Sequence, residues 1–194
     1  MAVRQMELPS TEVLEAELKR VNEKRNFHST LRSTIYTLVT VAAVAVLVAV
    51  LLLPVLRIYG SSMNPTLTEG DIVLSVKQGE FKEGDIIAFY YNNKILVKRV
   101  IAGPGDWVDI SEDGTVYVNN VELDEPYLKE EKAFGDCNIK LPYQVPDSRI
   151  FVMGDNRSVS VDSRNTSVGC VAEEQIVGKI VFHVWPLERF GIVS

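Results

Sequence analysis

A serine hydroxyl attacks a carbonyl only when a neighbouring group takes its proton, and this chain offers few such groups. The candidate nucleophiles stand together at Ser61-Ser62, in the stretch Ser61-Ser62-Met63-Asn64-Pro65-Thr66-Leu67. The usual base is histidine, but there are only two, His28 and His183. His28 precedes a long uncharged run and falls on its far side from the serines. His183 lies in Ile180-Val181-Phe182-His183-Val184-Trp185, where it reads as a strand side chain. Lysine can replace histidine if it is held neutral. Its reference pKa near 10.4 must then fall by about two to three units through burial, at a cost of roughly 3–4 kcal/mol. Lys98 has the apolar neighbours for this in Ile95, Leu96, Val97, Val100 and Ile101. The bland alternative is a strand ending in water at Lys98-Arg99, and composition alone balances the two readings.

No metal chemistry suggests itself. Cys137 and Cys170 are far from zinc-ligand spacing, and the two histidines cannot complete a site. A Cys137–Cys170 disulfide and two unpaired thiols both remain open. The net charge of −6 argues against a nucleic-acid partner.

The elements that must hold these groups begin with the uncharged run. Residues 33–56, between Arg32 and Arg57, are 24 residues without a charge, enough to cross a bilayer as a tilted helix. Pro54 marks a stop. The run is too long for a cleaved signal peptide and lacks a clear small-residue cleavage site, so it reads as an anchor. Lys19, Arg20, Lys24, Arg25 and Arg32 precede it, which predicts a cytoplasmic segment 1–32 and an extracytoplasmic domain 57–194. Within the first segment, Leu14, Leu18 and Val21 recur at helical spacing, with Ser10 as a cap. A charged surface helix explains them more simply than a partner-binding coiled coil.

Beyond the span the period shortens to that of strands. Ile72–Val76 and Ile86–Tyr90 are β-branched and aromatic runs, each launched by Gly-Asp (Gly70-Asp71, Gly84-Asp85). Gly105-Asp106 precedes Trp107-Val108 in the same way. Asp113-Gly114 predicts a hairpin between Val108–Ile110 and Thr115–Val118, and Asn119-Asn120 turns the chain again. Residues 124–147 read as an excursion with short strands. Glu173–Gln175 suggests a helical turn, and Ile176–Val184 returns to strand. The class expected is mainly β, an antiparallel sheet or barrel-like domain on one transmembrane helix.

Four segments in order now carry a resemblance: Ser62-Met63-Asn64-Pro65-Thr66-Leu67, Gly70-Asp71-Ile72-Val73-Leu74, Lys98-Arg99-Val100-Ile101-Ala102-Gly103-Pro104-Gly105-Asp106, and Gly154-Asp155-Asn156-Arg157 with Asp162-Ser163-Arg164. They resemble the boxes of type I signal peptidases, in a Gram-positive or clostridial form, and Trp185-Pro186-Leu187 fits the same family. The resemblance implies a membrane-bound serine endopeptidase that removes signal peptides from secreted precursors at the outer membrane face. It makes Ser62 the nucleophile and Lys98 the general base. Ser160 matches a serine that orients the lysine amine; Arg99 with Asp155, and Asp162 with Arg164, match charged residues that brace the site. No cofactor is implied. The implied partners are secretory preproteins, the lipid bilayer and the secretion translocon. Gly60 stands where some members carry a hydroxyl, so the oxyanion hole should rest on backbone N–H groups, including that of Ser62. Residues 165–169 depart from the family's short aromatic-glycine link, which puts the local loop shape in doubt. Ser62 lies six residues beyond Leu56, within roughly 20 Å of the span's end at the chain's maximum reach, so its substrate should be cut at the membrane surface. A narrower self-processing or pilin-type Ser/Lys peptidase, and a non-enzymatic anchored β domain, remain as alternatives.

Overall fold

The computed structural model describes residues 11–52, 54–77, 79–128, 132 and 135–193. The chain divides into two compact units, Met1–Ala49 and Val50–Ser194. The described residues of the first are helical. Helix α1 runs unbroken from Thr11 to Leu52, so the cytoplasmic helix and the span expected separately are one rod. Leu14–Val48 is long and apolar enough to cross a membrane. Thr34, Thr37 and Thr40 turn their hydroxyls back onto the carbonyls four residues earlier, which satisfies them within the helix. The Ser10 cap lies outside the described residues. At the other end the expectation needs correction. The helix stops at Leu52, two residues before Pro54, and Val55-Leu56, assigned to the span, belong to a strand.

The strands of the second unit all pair antiparallel among the described residues. Its strands are β1 (Val55–Arg57), β2 (Ile72–Val76), β3 (Ile86–Tyr91), β4 (Lys94–Ala102), β5 (Trp107–Ile110), β6 (Val116–Val118), β7 (Val121–Glu122), β8 (Tyr143–Gln144), β9 (Arg149–Met153), β10 (Val171–Ala172), β11 (Ile176–Trp185) and β12 (Gly191–Ile192). The larger sheet runs β1-β2-β11-β3-β4-β9-β10, with β12 paired to β11; the smaller runs β7-β6-β5-β8. Among the described residues no pairing joins β1 to β10, and the larger sheet is antiparallel along its whole order.

Strand β3 shows why this sheet is apolar on both faces. Ile86 and Ala88 join one core with Met63, Leu67, Val73 and Ile180, while Ile87 and Phe89 join another with Val100, Ile150, Val152 and Val171. A strand buried on both sides reads as a continuous apolar run, as Ile86–Phe89 does. A third core lies along the smaller sheet, around Val108, Val116, Phe151 and Met153.

Turn chemistry sets the register. Asn119 and Asn120 adopt φ of 53° and 65° between β6 and β7, and Asn92 and Asn93 adopt 44° and 60° between β3 and β4. Two successive left-handed residues are the hairpin geometry that matches strand twist. The β3–β4 hairpin places Lys98 opposite Ile87 and Arg99 opposite Ile86. Strand β9 pairs with β4 only from Arg99 onward, so the Lys94–Val97 portion leaves the β9 side of the strand open. Cys137 is exposed, Cys170 is buried, and both are unpaired thiols rather than a disulfide.

Candidate active site

Ser62 sits on the loop between β1 and β2. Two buried apolar side chains, Met63 and Leu67, anchor this loop to the core, and Leu67 N–H closes onto Met63 O at 2.9 Å. From across the fold, Asn156 N–H donates to Ser62 O at 3.0 Å and Asn156 Nδ2 to Ser61 O at 3.2 Å. The nucleophile candidate is therefore gripped through its own backbone, which leaves its hydroxyl free to turn toward β4.

There it meets lysine. Lys98 Nζ lies 2.6 Å from Ser62 Oγ. Lys98 is 3% exposed, and burial lowers its pKa from 10.5 to about 8; Arg164 lowers it further, while Asp162 and Asp155 oppose the shift. A primary amine at that pKa is neutral in a useful fraction of molecules near neutrality, and its lone pair can then accept the serine proton.

Two buried ion pairs brace this contact. Arg99 Nε and Nη2 bind the two oxygens of Asp155 at 2.9 and 2.8 Å, and Nη1 donates to Gly84 O at 2.8 Å. Its guanidinium lies 3.8 Å from the ring centre of Tyr127, a cation–π contact. Thr66 Oγ1 donates to Asp155 at 2.5 Å, tying the pair to the serine loop. Arg164 binds Asp162 through Nε and Nη2 at 2.8 and 2.9 Å, and Asp162 accepts from Gly154 N–H at 2.9 Å. Charges this deeply buried persist only because each is paired and hydrogen-bonded.

The structure thus brings Ser62 and Lys98 into contact and places Arg99, Asp155, Asp162 and Arg164 around them. Ser160 differs from expectation. It is buried, but its Oγ has no hydrogen-bond partner among the described residues, so no bond to the lysine amine is formed. Instead the Ser160 hydroxyl and Ser62 O both crowd the α-carbon of Gly154, where a methyl group would overlap them. His183 is buried in β11 with Nε2 3.1 Å from Asp71 Oδ2, part of the support beneath the loop. Gly60 has φ of +81°, a left-handed conformation in which a hydroxyl-bearing residue would be strained.

Some of the supporting shell has no sequence signal. Arg157 pairs with Glu125 and donates to Gly154 O at 3.1 Å. Glu125 also accepts from the Tyr127 hydroxyl at 2.9 Å. The Glu125–Arg157 pair spans 32 residues and a segment without periodicity. Asn156 and Arg157 stood inside a recognisable segment, but their partners could not be read from it.

Beside Ser62 opens a cleft of about 560 Å³, lined by Leu56–Gly60 and Met63 on one wall and Lys94–Val97 on the other. It is largely apolar, and one wall is the stretch of β4 that pairs with β3 but is open on its β9 side.

Residues 31–185 match the family model described as signal peptidase, peptidase S26. Signal peptidase I of Bacillus licheniformis is 35% identical over 185 residues, covering 89% of this chain and 96% of that protein. Signal peptidase IB of Staphylococcus aureus is 40% identical over 152 residues, covering 69% and 78%. A solved signal peptidase I from Enterococcus faecalis V583 superimposes with a TM-score of 0.45 and 34% identity, over 52% of this chain and 97% of that one. With the family model matching residues 31–185, a range that includes the serine loop, β4 and the 154–164 segment, the chain belongs to the peptidase S26 family of signal peptidases.

Proposed function

We propose that this protein removes N-terminal signal peptides from secretory precursors at the outer face of the membrane, with Ser62 as nucleophile and Lys98 as general base. The observation that carries the proposal is the 2.6 Å contact between Ser62 Oγ and the Nζ of a buried lysine whose pKa lies near 8. Neutral Lys98 takes the Ser62 proton as Oγ attacks the carbonyl carbon of the scissile bond. The oxyanion that forms is held by backbone N–H groups, that of Ser62 among them. The Lys98 ammonium then protonates the departing amine, which leaves as the new N-terminus of the mature protein. The signal peptide remains as an ester on Ser62. Water enters, gives a proton to the same amine and attacks the ester; the second tetrahedral species collapses as the Lys98 ammonium returns that proton to the departing Ser62 Oγ, and the product acid loses its own proton to solvent as a carboxylate.

The apolar cleft supports the substrate class. An extended peptide could add to the open stretch of β4 with backbone hydrogen bonds, its side chains alternating into the cleft. The short tether between the span and Ser62 supports cleavage at the membrane surface, and the basic residues before the span support an extracytoplasmic catalytic unit. Secretory preproteins, the bilayer and the secretion translocon are the partners this reading entails. Ser160 is proposed as a support for the lysine that acts through packing against Gly154 and Ser62 in the free enzyme. The test is incubation of the detergent-solubilised full chain with a precursor, followed by N-terminal sequencing of the product. Cleavage at a single site after the apolar segment, abolished in both Ser62→Ala and Lys98→Ala, is expected. Cleavage that survives Ser62→Ala overturns the proposal.

A further inference from the structure

The serine loop is held on one side by Arg99, acting through Asp155 and Thr66. On its other side stands a second guanidinium from the end of the chain. Arg189 lies in the short helical turn Leu187–Arg189, between β11 and β12. Its Nη2 donates to Pro65 O at 2.7 Å and to Thr66 O at 3.3 Å. Its Nη1 donates to Asp71 Oδ2 at 3.0 Å and to Thr68 Oγ1 at 3.1 Å. Asp71 is 2% exposed and also accepts from Thr68 N–H at 2.8 Å, with His183 on the same carboxylate oxygen.

We infer that Arg189 is a positioning residue for Ser62: its fork fixes the Pro65-Thr66 bend and so sets where the nucleophile's hydroxyl stands relative to Lys98. This rests on the reading of Ser62 as nucleophile. Proline has no N–H with which to join a turn ladder, so the bend leans on its carbonyls, and Arg189 binds two successive ones. Thr66 is then clamped between two arginines, its hydroxyl tied to Asp155 beside Arg99 and its carbonyl to Arg189. A planar fork can bind the carbonyls and the carboxylate together, whereas a single ammonium cannot. Arg189 is absent from the walls of the cleft, so its loss should act on the chemistry rather than on substrate capture. A displacement of about 1 Å at a reacting atom costs about a hundredfold in rate.

The experiment measures kcat and KM separately for the solubilised full chain on a precursor substrate, with Arg189→Ala, Arg189→Lys and Ser62→Ala in parallel. Arg189→Lys keeps a counter-charge for Asp71 and guards against simple misfolding of the alanine variant. Expected are a fall in kcat of about ten- to a hundredfold for both arginine variants, with KM within about twofold of wild type. Added guanidinium ion at non-denaturing concentration should restore kcat in Arg189→Ala. A kcat within twofold of wild type in both variants overturns the inference, as does a loss that falls on KM or that guanidinium leaves unchanged. Residual cleavage by Ser62→Ala would instead defeat the underlying assignment of the nucleophile, so the two failures are distinct.

Discussion

Replacing Lys98 with methionine should inactivate the protein and make it more stable. In the native state burial holds the amine at a pKa of about 8, against 10.5 in the open chain. The charged form is therefore less stable folded than unfolded, and between pH 8 and 10.5 the unfolded chain carries a proton that the native state lacks. Native stability accordingly rises with pH across that window, and the full penalty applies below pH 8. A shift of this size corresponds to about 3 kcal/mol at pH 7, about 2 kcal/mol at pH 9 and about 1 kcal/mol or less at pH 10. Methionine fills the same unbranched volume without a charge, so Lys98→Met should gain up to those amounts. Urea unfolding of the full chain in mild detergent can read this through Trp107 and Trp185, both of which lie in the β unit. The comparison should be run at pH 7, 9 and 10. A variant no more stable than wild type at pH 7, or a gain that does not shrink as pH rises, would refute the claim that burial depresses this amine.

Three further outcomes follow from the same geometry. Protease added to spheroplasts should digest 57–194 and spare 1–32; protection of the C-terminal unit would reverse the topology. Gly154→Ala should lower kcat by about a hundredfold or more in a protein that still folds, because the new methyl group overlaps Ser62 O and Ser160 Oγ, and steady-state cleavage assays would show it. Asp155→Ala should destabilise by about 3–5 kcal/mol, because it strands the buried Arg99 charge, while the double variant Asp155→Leu, Arg99→Met should recover much of that loss; urea midpoints at pH 7 provide the comparison.

Local chemistry made much of this fold legible before any coordinates. Gly70-Asp71, Gly84-Asp85 and Gly105-Asp106 each precede a strand, since a positive φ at glycine ends the turn that launches it; the three values are 94°, 85° and 83°. Asn119-Asn120 signals a turn, and Asn92-Asn93 carries the same signal for the β3–β4 hairpin, but neither pair says which residue Lys98 will face. The helix end was misplaced because Val55-Leu56 are as apolar as the span before them, and only pairing with Val73-Leu74 makes them a strand. Long-range pairs were beyond reach for a different reason. Glu125–Arg157 and Arg189–Pro65 join segments with no shared periodicity, and nothing local distinguishes an arginine paired within the fold from a solvated one. Ser62 and Lys98 are legible because their neighbours form motifs; their contact is a product of the fold.

The central claim is that a neutral lysine, not a histidine, takes the serine proton. The pH dependence of kcat/KM tests it most directly, measured for wild type, Lys98→Arg and His183→Ala on one precursor. Only the neutral amine acts as base, so activity should rise through a limb near pH 8, increasing roughly tenfold between pH 7 and pH 9. Arginine cannot deprotonate in a protein, so Lys98→Arg should be inactive at every pH, while folded His183→Ala should keep the limb in place. An active Lys98→Arg enzyme, or a limb near 6.5 that vanishes in His183→Ala, would contradict the account.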